Sequence, residues 1–140
     1  MNYTRTEATQ AIAEKVMGWC KHDYDVSWQT LNNIKKPSGA LCRKCNEHFP
    51  LPTGDINRKF YDWNPLTDAN HALEALEVYC RSDLAIPNIE LADDGWMITF
   101  DQFVAPFRWN GKQHKSLPHA ICEALLSAVD GEQATIKDGE

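Results

Sequence analysis

Cys42–Arg43–Lys44–Cys45, read with Cys20–Lys21–His22 upstream across nineteen intervening residues, decides how the first half of this chain folds. The turn in a C-x-x-C pair aims both sulfurs inward, so two thiolates reach one ion. Zinc takes four ligands in a tetrahedron, at about 2.3 Å from sulfur and about 2.0 Å from nitrogen. Cys42 and Cys45 supply two of them. Cys20 and His22 stand at i and i+2, which face the same side of an extended chain, and are the best source of the other two. His48, in a C-x-x-C-x-x-H frame, competes for the fourth place. Both schemes share Cys42 and Cys45. The rival readings of the pair are a redox couple and plain burial. Redox couples favour the N-terminus of a helix in a strand-first fold, whereas this pair lies in a Pro/Gly-rich stretch between charged residues. The expectation is a structural zinc held by Cys20, His22, Cys42 and Cys45. Four ligands leave no open position, which argues against a catalytic ion.

The segment around these residues explains the need for a staple. Residues 20–60 contain Pro37, Gly39, Pro50, Pro52 and Gly54, the basic pairs Lys35–Lys36, Arg43–Lys44 and Arg58–Lys59, and poor apolar periodicity. Such a stretch builds no core of its own and needs a metal or a neighbour to order it. The flanks read differently. Thr4 and Glu7 form a capping box ahead of a helix whose stripe is Ala8, Ile12 and Val16, ended by Gly18. A second helix starts near Asp68, with Ala69, Ala72, Leu73, Leu76 and Tyr79–Cys80 on its apolar face. Asp93–Asp94–Gly95 is a hairpin signal between Ile89–Leu91 and an alternating strand, Trp96, Ile98 and Phe100. Phe103 to Trp109 is rich in aromatics, Pro106 suits an edge, and Asn110–Gly111 is a second turn signal. The last helix opens at Ser116 with Pro118 in its first turn, carries Ala120–Ile121, Ala124–Leu125 and Ala128–Val129, and ends at Gly131. Its polar tail, 131–140, is expected to fray.

With 140 residues the chain has the size of one domain, arranged as a core of 1–19 and 61–130 interrupted by the metal-binding insertion 20–60. The fold class is α+β: three helices share a core with a small antiparallel sheet, an α-β-α sandwich from which the metal-stapled loop projects. No apolar run approaches the ~20 residues of a membrane span. The polar stretch Met1 to Gln10 shows no signal peptide, so the expected compartment is the cytoplasm. Five cysteines there point to metal binding or burial before disulfides. Cys80 and Cys122, on apolar helix faces, read as core.

The net charge of −6 is uneven. Residues 1–60 hold nine Lys/Arg against six Asp/Glu, and residues 61–140 hold five against fourteen. The acidic half opposes general nucleic-acid affinity, while the basic half leaves room for a local patch at Lys35, Lys36, Arg43 and Lys44 that could touch phosphates. A solvated surface is the plainer reading of such charges. His71 and His119, each in the first turn of a helix, read as surface or core fillers rather than catalysts. Asp93–Asp94 reads as a turn rather than a cation site. There is no Gly-rich phosphate loop, no G-x-S-x-G and no H-E-x-x-H, so nothing argues for an enzyme.

Ala13–Glu14–Lys15–Val16–Met17–Gly18–Trp19 resembles the opening of small phage and prophage proteins with an α-β-α sandwich domain. Tyr61–Asp62–Trp63–Asn64–Pro65–Leu66–Thr67–Asp68 with the helix after it resembles their middle segment. Trp96 in a strand and the helix from Pro118 to Leu125 resemble their end. The resemblance covers residues 11–19 and 61–130. It implies a phage-derived protein with helices packed on an antiparallel sheet, in a family of unknown function. The C-x-H…C-x-x-C insertion resembles loops of other small phage proteins. The expectation that follows is a non-enzymatic accessory protein that binds a host or phage protein, for instance to counter a defence system. A nucleic-acid-binding module built on the basic loop is the first alternative. A nucleotide or small-molecule site in the sandwich, with or without enzymatic activity, is the second.

Overall fold

A computed structural model describes residues 1–50, 58–102, 109–110 and 113–137. The class is α+β, and the chain divides into two compact units: Met1–Trp19 with Trp63–Glu140, and Cys20–Asp62.

In the first unit, helix α1 (Arg5–Lys15) is capped by Thr4, whose Oγ1 accepts from the Glu7 N–H at 3.2 Å. It buries Ala8, Ile12 and Ala13. Helix α3 (Ala69–Ser82) starts at Asp68, whose carboxylate accepts from the N–H groups of Asn70 and His71. It buries Ala72, Ala75, Leu76 and Tyr79, while Leu73, expected on the apolar face, is exposed. Helix α4 (Leu117–Asp130) is the centre of this unit. Ser116 caps it, Gly131 ends it in the left-handed conformation, and every residue from His119 to Ser127 is buried. A helix covered all round sits inside a fold rather than on its surface. It packs on α1, α3 and the strands.

Strands β5 (Ala85–Ala92), β6 (Gly95–Gln102) and β7 (Trp109–Asn110) form an antiparallel sheet in the order β5-β6-β7. Asp93–Asp94 makes the β5–β6 turn, as the sequence predicts. Gly95 follows it at φ +127°, and a Cβ there would lie 2.4 Å from the His114 carbonyl oxygen. That close approach permits the paired hydrogen bonds between Trp96 and His114. Ile98 and Phe100 point into the core. The aromatic run at 103–108, with its Pro106, and the turn signal at Gly111 lie outside the described residues. Trp19 and Trp63, the residues on either side of the second unit, meet edge to face with ring centroids 4.9 Å apart.

The expected frayed tail is corrected by strand pairing. Strand β8 (Thr135–Ile136) pairs in parallel with β1 (Asn2–Tyr3), and Ala134 and Ile136 are buried. The cause is a polar stripe at every fourth residue of α4. Ser127 Oγ accepts from the Ala134 N–H and Glu123 Oε1 from the Ile136 N–H, each at 2.9 Å, and His119 Nε2 lies 3.1 Å from the same carboxylate. These side chains supply partners to backbone that would otherwise be buried unpaired. Lys15 and Tyr3 converge on Asp130 at the end of the same helix.

The second unit corrects the picture of a loop. Strands β2 (Tyr24–Leu31), β3 (Ile34–Cys42) and β4 (His48–Pro50) form an antiparallel sheet in the order β2-β3-β4, followed by a short helix α2 (Arg58–Asp62). The β2–β3 turn is Asn32–Asn33, at φ +52° and +63°. Asparagine tolerates this left-handed geometry, and two such residues in succession give the turn whose twist suits a hairpin.

Burial raises the Glu123 carboxyl, but His119 and the Ile136 N–H outweigh it and hold the group below its ordinary value. A lowered folded-state pKa gives stability that is complete above the ordinary carboxylate pKa of about 4.3 and is lost as pH falls through the lowered value. Thermal melts should therefore show wild-type stability falling in acid, with a shallower fall for Glu123→Gln. Glu123→Ala should cost about 1–3 kcal/mol at neutral pH, because it leaves a buried N–H unpaired. Hydrogen exchange should then quicken first at Ile136.

Candidate metal centre

Three parts of the second unit bring the ligands together. Cys42 ends β3, Cys45 follows in the turn toward β4, and Cys20 and His22 precede β2. The turn is built by backbone bonds. The Cys42 N–H donates to the Glu47 carbonyl at 3.0 Å, the Asn46 N–H to the Cys42 carbonyl at 3.0 Å, and the Arg43 N–H to the Asp23 carbonyl at 2.7 Å. Asn46 takes a positive φ of 61° to close it. The last of these bonds ties the C-x-x-C turn to the segment that carries Cys20 and His22, just ahead of β2.

The donor atoms of Cys20, His22, Cys42 and Cys45 all lie within 4.8 Å of one another. Cys20 Sγ and Cys42 Sγ are 3.8 Å apart, and Cys45 Sγ is 3.5 Å from His22 Nδ1. Tetrahedral zinc would hold two sulfurs about 3.8 Å apart and a sulfur and a nitrogen about 3.5 Å apart, given its usual bond lengths. The donor set is therefore spaced to hold a metal ion and is compatible with zinc. His22 offers Nδ1 to the cluster, and Glu47 lies 3.8 Å from its Nε2. A carboxylate on the far nitrogen is the usual outer partner of a ligating histidine, fixing its tautomer.

The electrostatics favour a thiolate at the buried position. Burial alone would raise the Cys42 thiol, but the backbone N–H of Cys45, the His22 ring and the backbone N–H of Lys44 bring it down to about 6. The Lys44 N–H lies 3.4 Å from Cys42 Sγ. Cys20 goes the other way, raised to about 11 by burial and by sharing its proton with Cys42 and Cys45. Three sulfurs this close cannot all ionise without a cation among them. The site presents three soft sulfurs and one imidazole, a donor set suited to a metal ion.

Among the described residues no other group of three or more His, Cys, Asp or Glu side chains is placed to hold an ion. His48 is not one of the four. It sits on β4 opposite Leu41, with its ring against Gly39, where a Cβ would lie 3.1 Å from its Cε1 and 2.1 Å from the Phe49 carbonyl oxygen. Cys122 is buried in α4 with its Sγ 3.3 Å from the Pro65 carbonyl, and burial pushes its thiol up. Cys80 is half-buried on α3. His71 accepts from the Asn64 N–H through Nδ1 at 2.9 Å.

The basic residues are less well gathered than the ligands. Lys35 and Lys36 lie beside the Asn32–Asn33 turn at one end of the hairpin. Arg43 and Lys44 lie at the other end, roughly 25 Å away at the rise of an extended strand. Arg43 is also committed to Asp25, which takes both its Nε and Nη2. The four do not form one patch. In its comparisons with known proteins, the chain matches no family model, no curated protein and no solved structure.

Because the second unit is tied together at this cluster, Cys42→Ser should lower bound metal and abolish amide protection across 20–50. The helices of the first unit should keep theirs. His22→Ala should weaken binding by more than the roughly 10- to 100-fold typical of losing a ligand's outer partner, whereas His48→Ala should leave it unchanged. Elemental analysis and hydrogen exchange, read together, check all three.

Proposed function

We propose that the ion is zinc, and that residues 20–62 are a metal-stapled recognition module of a non-enzymatic accessory protein, of phage or prophage origin, that grips a host or phage protein in the cytoplasm. The observation that carries this reading is the outer strand of the stapled sheet. Tyr24, Val26 and Trp28 occupy alternate positions of β2, and their exposures are 47%, 48% and 59%. Alternate residues of a strand share a face, here the one that carries Ala40 and Cys42 across the ladder. A protein gains nothing for its own stability from large apolar side chains left in water. Contiguous exposed apolar groups, with Trp and Tyr among them, are the make-up of binding hot spots. The staple adds rigidity, so little ordering cost falls on association. Four protein ligands fill a tetrahedral ion, which suits an architectural role.

One observation favours a second reading. The register pairs Thr30 with Lys35 and Trp28 with Pro37, which sets Lys35 on the same face as Trp28. An aromatic beside a lysine suits a single-stranded nucleic acid. Lys44 stands far from this face and Arg43 is neutralised by Asp25, so the protein partner is the stronger reading.

Purified protein should carry one zinc per chain. Tyr24→Ala with Trp28→Ala should leave the zinc in place and abolish recovery of a stoichiometric protein partner from infected or lysogenic cells. Equal recovery by the double variant would count against the face. Fluorescence anisotropy with single-stranded oligonucleotides at low salt separates the second reading. Binding that is lost in Lys35→Ala and Lys36→Ala would favour nucleic acid instead.

A further inference from the structure

We propose that the open edge of β5, with the groove between it and α3, binds an extended apolar peptide segment flanked by basic residues, added as a fourth strand of the sheet. This surface lies in the first unit and does not depend on the metal centre or on the role assigned to the β2 face.

Three observations converge on it. The first is the edge. β5 is the outer strand, with β6 as its neighbour among the described residues, and Ile86 to Ala92 are all exposed. Its outward main-chain donors and acceptors are a template for another strand. Pro87 contributes no N–H, so pairing runs along Asn88 to Ala92.

The second is the groove. Ala85, Pro87, Ile89 and Leu91 share the face that carries Phe100 and Ile98, their neighbours across the ladder in the core. The helices cover β6 but leave this row of β5 open, with Ile89 39% and Leu91 67% exposed. Where the row meets α3, a groove of about 460 Å³ is lined by Leu73, Leu76, Cys80, Ala85 and Pro87, with Glu77 and Arg81 at the helix side. An added strand would point every second side chain toward this row, as in the strand-and-helix grooves that read peptides.

The third is charge, which chooses the occupant. Glu77 lines the groove, and Glu74 on α3, Asp83 just after it, Glu90 on β5, and Asp93 and Asp94 in the turn after β5 are all exposed. Arg81 is the one basic residue between 74 and 94, and it is spent on Glu77 at 2.6 Å. Burial raises the Cys80 thiol, and the charge of Asp83 raises it further. A second copy of the chain would bring this acidic rim against itself. A segment flanked by Lys or Arg meets it with opposite charge, so an apolar strand with basic ends fits best.

Fluorescence polarisation with the metal-replete full chain tests this. The probe is a labelled synthetic peptide of alternating valine and threonine between terminal lysine pairs. Two controls accompany it: the same peptide with glutamates for the lysines, and one N-methylated at alternate peptide bonds to remove strand donors. The lysine-flanked peptide should bind, with the glutamate-flanked form weaker by about tenfold or more. The N-methylated form should fail. Leu91→Lys, at a position too exposed to matter for folding, should weaken binding by a similar factor, and amide shifts on binding should cluster on β5. No binding, equal binding of the two charge forms, or indifference to N-methylation would overturn the proposal. So would a concentration-dependent dimer in sedimentation that Leu91→Lys abolishes, which would assign the edge to a second copy.

Discussion

The convergence of Cys20, His22, Cys42 and Cys45 on a single point is the constraint on which the 20–62 unit depends. Among its described side chains, the only buried hydrophobic residues are Ala40 and Cys42. These two alone bury far too little apolar surface to offset the entropy of ordering a three-stranded sheet. A cation bound among the three sulfurs and the imidazole would change the balance. It would neutralise groups that otherwise repel, and it would close a chain segment of more than twenty residues at one stroke. The strands hang from this point: β2 leaves it after His22, β3 returns to it at Cys42, and the turn through Asn46 sends β4 back alongside. Along β2, Tyr24, Val26 and Trp28 are left exposed.

The other unit rests on burial of the ordinary kind, with one unusual device. Helix α4 is covered on all sides, and its apolar residues meet α1, α3 and β6. Yet one line along it is polar, through His119, Glu123 and Ser127. These side chains turn the helix into a template for backbone, in the way a strand edge would be. The short β8 is held by them on one side and by β1 on the other. Two residues of parallel ladder are marginal alone, so the side-chain bonds from α4 carry the strand.

Much of this was legible in the sequence, where a local rule fixes the outcome. Thr4, Asp68 and Ser116 each begin a helix because each satisfies the free N–H groups of a first turn. Asp93–Asp94–Gly95 makes its hairpin. The clustering of Cys20, His22, Cys42 and Cys45 was legible because their spacing admits few geometries. His48 could be set aside only once the fold placed its ring against Gly39 and outside the cluster. The β2–β3 hairpin was missed although Tyr24, Val26 and Trp28 alternate with polar residues ahead of Asn32–Asn33. The prolines and glycines nearby obscured it, and a strand whose apolar face is exposed gives no core to look for. The pairing of β8 was missed because its partners are two residues at the far end of the chain and a stripe of helix side chains. The 74–94 acids were counted as net charge, but their placement around an open edge needs the fold.

The contact between Trp19 and Trp63 carries a further meaning. The helical unit reaches the end of its first segment and resumes its second at a place where the two indoles touch. The intervening forty-odd residues thus leave and re-enter by the same doorway. Nothing in the helical core has to be threaded around what passes through that doorway. The 20–62 unit is then a cassette. Its length and sequence can vary without retuning the packing of α1 against α4. A chain organised this way can exchange the insert while keeping the body that carries it.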